Sequence, residues 1–149
     1  MQDVVFRRAT AQDLPAIVAL LADDELGRAR ETPGDPAYAA AFAAIERDPN
    51  QLLAVAALGD TVVGTLQLSF LPGISHRGAW RGEVEGVRVA AERRGTGLGR
   101  RLLEWAIGQC RARGCRMVQL TSNKRRADAH RFYGALGFEP SHTGFKLML

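Results

Sequence analysis

A strand pattern, a glycine-rich turn and an amphipathic helix follow one another in the stretch Val87-Arg88-Val89-Ala90-Ala91-Glu92-Arg93-Arg94-Gly95-Thr96-Gly97-Leu98-Gly99. Because glycine has no Cβ, such a turn can direct several successive backbone N–H groups at one anion, and the following helix adds the positive end of its dipole. Arg93 and Arg94 place fixed positive charge at the same point. The stretch therefore predicts a phosphate-binding loop, and the alternative is an ordinary helix start flanked by surface arginines.

The spacing of the glycines excludes two common phosphate-binding motifs. A dinucleotide fingerprint, G-x-G-x-x-G, that begins at Gly95 would need its third glycine at position 100, which is Arg100. A nucleoside-triphosphate loop needs a Gly-Lys pair, and the sequence contains none. The pattern that remains is Arg94-x-x-Gly97-x-Gly99, placed between a strand and a helix.

Three further segments carry ordered patterns around this loop. Upstream lies Val84-Glu85-Gly86-Val87-Arg88-Val89, and downstream lie Met117-Val118-Gln119-Leu120-Thr121-Ser122-Asn123 and Ala129-His130-Arg131-Phe132-Tyr133-Gly134-Ala135-Leu136-Gly137-Phe138. They resemble the I-E-x-V-x-V fourth strand, the Asn-terminated fifth strand and the A-x-x-F-Y-x-x-L-G-F helix of the GNAT superfamily of N-acetyltransferases, whose loop signature is Q/R-x-x-G-x-G/A. The resemblance is dense over residues 84–138 and holds only in pattern over residues 1–80.

The resemblance implies a single GNAT domain over residues 1–149, with an α/β fold: a central mixed sheet of six to seven strands, about four flanking helices, and splayed fourth and fifth strands. It implies acetyl-coenzyme A as the co-substrate, with no metal. The amides of residues 94–99 would bind the diphosphate, and the backbone of residues 87–89 would pair with the pantetheine arm. The positions implied to bind coenzyme A are Val87, Arg88, Val89, Arg94, Gly95, Thr96, Gly97, Leu98, Gly99, Arg100, Asn123, Ala129, Phe132 and Tyr133.

Acetyl transfer to an amine needs a base for the amine proton and an acid for the departing thiolate. By resemblance, Glu85 is the expected base, acting through a water, and Tyr133 is the expected acid. Glu83 lies two residues away on the same strand face and is the reserve base. Either carboxylate could instead attract a cationic substrate, and Tyr133 could instead be a core aromatic.

A glycine inside a strand is unusual, and Gly86 stands in the middle of the predicted fourth strand. Glycine there marks a β-bulge or a close approach of another backbone. In the family that the chain resembles, a bulge at this point parts the fourth and fifth strands. A tight packing contact over Gly86 is the alternative.

The rest of the chain predicts a mixed α/β sheet, because strands come first and then alternate with helices. Strands are predicted over residues 2–8, 52–58, 61–71, 79–89 and 115–121, with one or two more after 138; helices over 10–22, 36–48, 97–113 and 126–136; and loops over 23–35 and 72–78. Cys110 and Cys115 are predicted to be free buried thiols, with a local disulfide or a metal pair as alternatives.

Charge is distributed unevenly along the sequence. Residues 1–85 carry 7 Lys/Arg and 12 Asp/Glu, whereas residues 86–131 carry 12 and 3, so positive charge gathers around the glycine loop. This favours a multiply phosphorylated ligand. The acidic Asp23-Asp24-Glu25 run favours a cationic amine as acceptor, although a solvated loop explains it equally well.

The length and composition of the chain limit the classes of function that it can have. The 149 residues match one domain. We expect a cytoplasmic protein with no membrane partner, because no apolar stretch of about 18 residues or secretion signal is present. The expected function is N-acetyl transfer from acetyl-coenzyme A to a primary amine of a small molecule or amino acid, in a ternary complex.

Two rival functions are a catalytically silent acetyl-coenzyme A sensor and a basic nucleic-acid-binding domain. The second is favoured by 18 arginines against 2 lysines. It is disfavoured because no basic face is interleaved with stacking aromatics, so no nucleic-acid partner is expected. The resemblance leaves a homodimer open.

Overall fold

The computed structural model describes residues 3–149. Its five strands are β1 (Val4–Arg8), β2 (Gln51–Leu58), β3 (Thr61–Leu71), β4 (Arg81–Val89) and β5 (Met117–Leu120). Its helices are α1 (Leu14–Ala22), α2 (Glu25–Arg30), α3 (Ala37–Arg47), α4 (Ser75–Gly78), α5 (Leu98–Ala112) and α6 (Ala127–Ala135), with 3-10 turns at Ala11–Asp13 and Ala91–Arg93.

The strands form one sheet in the order β1-β2-β3-β4-β5. The first four are antiparallel neighbours, and β5 runs parallel to β4 after the crossover through α5. The predicted mixed α/β sheet is therefore confirmed, and β2 and β3 form a hairpin that turns at Gly59-Asp60. None of the helices in residues 3–149 is long and apolar enough to cross a membrane.

Apolar clusters cover both faces of the sheet, because successive strand side chains point to opposite faces. On one face Leu66, Leu68 and Val84 pack with Leu102 and Leu103 of α5. On the other face, Val55 and Leu53 pack with Ile17 of α1 and Phe42 of α3. The helices α1 and α3 thus lie on the face opposite α5.

Two expectations for the N-terminal half are corrected. About four helices are expected, with loops over residues 23–35 and 72–78, but the described residues form six helices, because the short α4 lies inside 72–78 and α2 lies inside 23–35. Its start is fixed by Asp24, whose side chain accepts a hydrogen bond from the amide of Gly27, an N-cap that the run of acidic residues conceals. The first strand begins at Val4 rather than residue 2, and Gln2 lies outside the described residues.

The C-terminal part of the sheet differs most from expectation. The sheet has five strands rather than six to seven, and no strand follows α6 within the described residues. Residues 139–149 form no ladder with β5 and are exposed. Consequently β5 is a four-residue edge strand, in which Met117 is exposed and the other three side chains are half-buried.

The two cysteines are free thiols, as predicted, with Cys110 buried and Cys115 half-buried. Burial raises the pKa of the Cys110 thiol to about 11 and also raises the pKa of Cys115. Cys110 fills the space over Gly82 of β4, where an added Cβ would collide with its Sγ. Both thiols are therefore protonated at neutral pH, and Cys110 acts as a packing residue.

We expect Asp13→Asn to destabilise the protein by about 1–2 kcal/mol at pH 7. Arg7 donates two hydrogen bonds to the Asp13 carboxylate, and the amide of Thr10 donates a third. The Arg7 pair is the main cause of the lowered Asp13 pKa, about 2 against an ordinary 3.8. Because the folded-state pKa is lowered, this stabilisation is complete above the ordinary pKa and is lost as the pH falls through about 2.

Urea unfolding of wild type and Asp13→Asn from pH 2 to pH 7 measures this effect. Asp60→Asn, in the exposed β2–β3 turn, is the control and should match wild type at every pH. If the difference in the free energy of unfolding between wild type and Asp13→Asn stays constant down to pH 2, the Arg7–Asp13 ion pair is not its cause.

Candidate active site

The strands β4 and β5 part halfway along β4. Their pairing covers only Arg81↔Met117 to Val84↔Leu120, whereas β4 continues to Val89. On its other side, β4 opposes Gln67 with Glu85 and Thr65 with Arg88, so it holds one extra residue there. Gly86 occupies this bulge at φ +63°, a conformation that glycine adopts without strain. The bulge predicted at Gly86 is therefore present, and β4 leaves β5 just before it.

The glycine-rich turn lies at the end of β4 and opens α5. Gly95 and Gly97 have φ of +77° and +84°, and Gly97 is the N-cap residue of α5. A Cβ built on either glycine would meet no atom within 4 Å, so the turn faces open space. Arg93 adds a buried Nε without a hydrogen-bond partner. Amides at the start of a fifteen-residue helix and this guanidinium fit a phosphate group.

Helix α6 packs its aromatic side chains against the start of α5. A Cβ on Gly99 would lie 3.5 Å from Phe132 and 3.6 Å from Val89, so these three residues bring α5, α6 and β4 together. The rings of Phe132 and Tyr133 lie 5.3 Å apart, and Ala129 packs against the same cluster. Three elements predicted to share the site thus meet at one point, and Leu98 is buried beneath them.

Tyr133 is 8% exposed, and its ring also contacts Phe138 edge-on. Burial raises the pKa of Tyr133, while the charges of Arg126 and Arg88 partly oppose that shift. The phenol therefore stays protonated at neutral pH, the state from which a proton can be donated.

Three other candidate residues make contacts of their own. Asn123 caps a turn, since its Oδ1 accepts from the amide of Arg125. Arg100 pairs with Glu104 one turn along α5, on the exposed side of the helix. The Thr96 hydroxyl donates to the carbonyl of Arg93 at 2.6 Å and closes the glycine turn.

Two acidic side chains join the α1–α2 loop to the glycine turn and β4. Asp24 Oδ2 lies 2.9 Å from Nε of Arg88, and Asp23 Oδ2 lies 3.8 Å from Nη2 of Arg94. Burial lowers the pKa of Arg88, and Asp24 counters that effect. The charge of this loop is thus engaged with arginines of the site, which weakens the charge argument for a cationic acceptor.

A cleft of about 270 Å³ opens between α3 and the sheet beside Glu85. Its wall is lined by Ala44, Ile45, Asp48, Gln51, Gln67, Ser69 and Glu85. Gln51 joins the polar wall together, since its Oε1 accepts from Gln67 Nε2 at 2.9 Å and from Ser69 Oγ at 3.1 Å. Glu85 is exposed and stands opposite Gln67, so its carboxylate lies where a small polar molecule could enter.

The polar cleft wall is the part of the site that sequence reasoning missed. Gln67 and Ser69 are the signal that could have found it, because they stand two residues apart on a largely apolar strand and so share a face. Glu83 stands opposite Ser69 in the same register but does not line the cleft. Among residues 3–149, no group of three or more His, Cys, Asp and Glu side chains is arranged to hold a metal ion.

Comparisons with a family model and with a known protein indicate the same family. The model of the acetyltransferase (GNAT) family matches residues 14–138. The aminoalkylphosphonate N-acetyltransferase of Salmonella typhimurium is 33% identical over 142 residues, which are 93% of this chain and 87% of that protein.

Solved structures agree over the whole fold. A transcriptional regulator from Bacillus halodurans is 45% identical with a TM-score of 0.95, covering 99% of this chain and 100% of that one. A Trypanosoma brucei acetyltransferase is 26% identical with a TM-score of 0.82, again covering 99% and 100%. The family model and the Salmonella relative together show that this chain belongs to the GNAT acetyltransferase family and is an acyltransferase.

Proposed function

We propose that this protein transfers the acetyl group of acetyl-coenzyme A directly to a primary amine of a small molecule. The observation that carries the proposal is the gap between β4 and β5, which begins one residue before the Gly86 bulge and lies next to the glycine turn. A diphosphate on the turn and an extended thioester arm in the gap would occupy these two features.

The cofactor contacts follow the backbone of these two elements. The amides of residues 94–99 would hold the diphosphate, with Arg93 and Arg94 adding charge. The β4 backbone at residues 87–89 has no β5 partner. The carbonyls of Val87 and Val89 accept hydrogen bonds from the side chains of Arg88 and Arg94, which pantetheine would displace, and the amide of Val89 would polarise the acetyl carbonyl. Asn123, Ala129 and Phe132 would contact the arm from the β5–α6 side.

The reaction would need two proton transfers, and we assign one side chain to each. The amine nitrogen attacks the thioester carbonyl carbon, forming the C–N bond, and the C–S bond breaks as the thiolate leaves. Glu85 would accept the amine proton through a water, and Tyr133 would give its phenolic proton to the thiolate sulfur. The raised pKa of Tyr133 suits the second role, since the phenol remains a donor at neutral pH.

The cleft beside Glu85 is the proposed acceptor site. Its two carboxylates, Asp48 and Glu85, would attract the ammonium form of an amine, and the Gln51–Gln67–Ser69 wall would bind other polar groups. The Salmonella relative is named for an acceptor that joins an amine to a phosphonate. Arg126 and Arg88, whose charges act on the pKa of Tyr133, could favour such an anion.

A turnover assay combined with calorimetry tests the proposed function. Acetyl-coenzyme A would be offered with aminoalkylphosphonates, diamines and amino acids, and thiol release recorded. We expect coenzyme A binding and turnover with at least one amine class. Binding without turnover on any amine would indicate a sensor, and the absence of coenzyme A binding would reject both functions.

The glycine turn supports a prediction of its own. Gly97→Ala should lower kcat/KM for acetyl-coenzyme A about 10-fold, because a side chain at positive φ costs about 1–2 kcal/mol and turns the amides away from the anion. The thioester S-acetylpantetheine, which lacks the diphosphate, should show no such loss. Gly108→Ala is the matched control, since Gly108 lies on α5 in open space. If kcat/KM falls equally with both thioesters, the diphosphate does not bind at the glycine turn.

A further inference from the structure

The bulge at Gly86 places two opposite charges on the same face of β4. Residues three apart on a regular strand point to opposite faces, as Glu85 and Arg88 would without the bulge. In the structure Glu85 opposes Gln67 and Arg88 opposes Thr65, and these two partners stand two residues apart on β3. Because residues two apart share a face, the extra residue in β4 turns Arg88 toward the face that carries Glu85.

The packing of the neighbouring side chains agrees with this arrangement. Three valines of β4 belong to the apolar cluster on the α5 face of the sheet: Val84, Val87 and Val89. Arg88 instead pairs with Asp24 of the α1–α2 loop, and α1 lies on the face opposite α5. Arg88 therefore lies on the cleft side of β4, across the bulge from Glu85, although it does not line the cleft itself.

The spacing between the two charges suits a short molecule. Their partners on β3 are two residues apart, which corresponds to about 7 Å of strand. An ideal Cβ on Gly86, between the two charges, would lie 3.6 Å from Cδ2 of Leu21 in α1, so an apolar side chain stands there. A ligand that reaches from Glu85 to Arg88 would therefore have two charged ends and a short hydrocarbon middle.

Further positive charge surrounds Arg88. Burial is the largest cause of its lowered pKa, and the charges of Arg126 and Arg30 lower that pKa further, whereas the charge of Asp24 raises it. Arg30 is itself paired with Glu31. Three guanidinium groups thus stand against two carboxylates, and a bound anion would relieve the repulsion among them.

We propose that the acceptor is a short amine that carries an anionic group at its other end, with the amine at Glu85 and the anion on Arg88. This inference rests on the proposed function and makes Arg88 the residue that selects the acceptor. Nη1 of Arg88 donates to the carbonyl of Val87 at 2.9 Å, a bond that the pantetheine arm would displace. The released guanidinium could then bind a carboxylate or a phosphonate through two parallel hydrogen bonds.

A matched series of amines tests the selection. Propylamine, β-alanine and 2-aminoethylphosphonate share an aminoethyl group and differ only in a terminal methyl, carboxylate or phosphonate. Wild type should show a kcat/KM at least 10-fold higher for one of the two anionic amines than for propylamine, and the better of the two identifies the anion. Equal or faster turnover of propylamine would overturn this inference but leave the proposed function standing. Turnover of no amine at all would overturn both.

Variants of the ion pair separate selection of the acceptor from support of the loop. Arg88→Gln should lower the preference for the anionic amine over propylamine about 10- to 100-fold, the effect of one lost charge-assisted hydrogen bond or two. Arg88→Lys should retain part of the preference, because it keeps the charge but not the planar fork. Arg111→Gln is the control, since Arg111 lies exposed on α5, and it should retain the full preference.

Asp24→Asn completes the test. Asparagine can still cap α2 through its Oδ1 but no longer competes as an anion for Arg88, so the preference for the anionic amine should stay the same or increase. If Asp24→Asn loses the preference as Arg88→Gln does, Arg88 acts only by anchoring the α1–α2 loop, and the inference is wrong. A preference that survives in Arg88→Gln would also overturn it.

Discussion

Turnover is expected to fall about 10²–10⁴-fold when Glu85 is replaced by glutamine, the range that loss of a general base produces. Glutamine keeps the size of the side chain but cannot accept the amine proton. The carboxylate is exposed at the cleft and opposes Gln67, so the substitution disturbs no packing. Affinity for coenzyme A should be unchanged, because the substitution slows the chemical step and not the binding of the cofactor.

The pH profile separates this role from simple attraction of a cation. In the variant without a base, the rate should recover as the pH approaches the pKa of the amine substrate, because the amine is then already deprotonated in solution. Loss of attraction alone would raise the KM for the amine and leave kcat unaltered. Glu83→Gln is the matched control, because Glu83 shares the strand face but does not line the cleft. A larger fall in turnover in Glu83→Gln than in Glu85→Gln would make Glu83 the base.

Replacing Tyr133 by phenylalanine is expected to lower kcat by a similar factor, about 10²–10⁴-fold. Phenylalanine preserves the contacts with Phe132 and Phe138, so the aromatic cluster and the fold should persist. What is lost is the proton for the leaving thiolate. Burial raises the pKa of the phenol, so wild type should not lose this donor as the pH rises through the neutral range.

Tyr38→Phe provides the control for Tyr133→Phe. The Tyr38 hydroxyl bonds the Thr32 amide and the Glu31 carboxylate, away from the cleft, so its loss should leave turnover unchanged. Steady-state kinetics with saturating acetyl-coenzyme A would measure both variants, with thermal unfolding as the check on folding. A Tyr133→Phe protein with wild-type kcat would make Tyr133 a core aromatic, the alternative that its burial also permits.

Local signals account for the parts of the fold that could be predicted from sequence. The Gly59-Asp60 hairpin, the bulge at Gly86 and the turn at Gly97 each depend on a backbone conformation that few residues adopt, so single residues specify them. The helix α5 is amphipathic over its whole length, and its bounds agree with the prediction to within one residue.

Features that depend on distant partners could not be predicted in the same way. The cleft wall joins Gln51 of β2 to Gln67 and Ser69 of β3 and faces α3, a juxtaposition that only the pairing register creates. The ion pairs of Asp23 and Asp24 with Arg94 and Arg88 likewise link residues far apart in sequence. The prediction of strands after residue 138 was wrong for a related reason. A strand pattern indicates that a segment can pair, but it does not indicate with which edge.

A crystal structure of the protein with acetyl-coenzyme A bound tests the proposed site most directly. We expect the diphosphate on the amides of residues 94–99 and the pantetheine arm beside residues 87–89, in the gap that opens beyond Val84 and Leu120. The acetyl group should then point toward the cleft at Glu85. A cofactor bound elsewhere, or β4 and β5 paired through to Val89 with the arm excluded, would contradict the proposal.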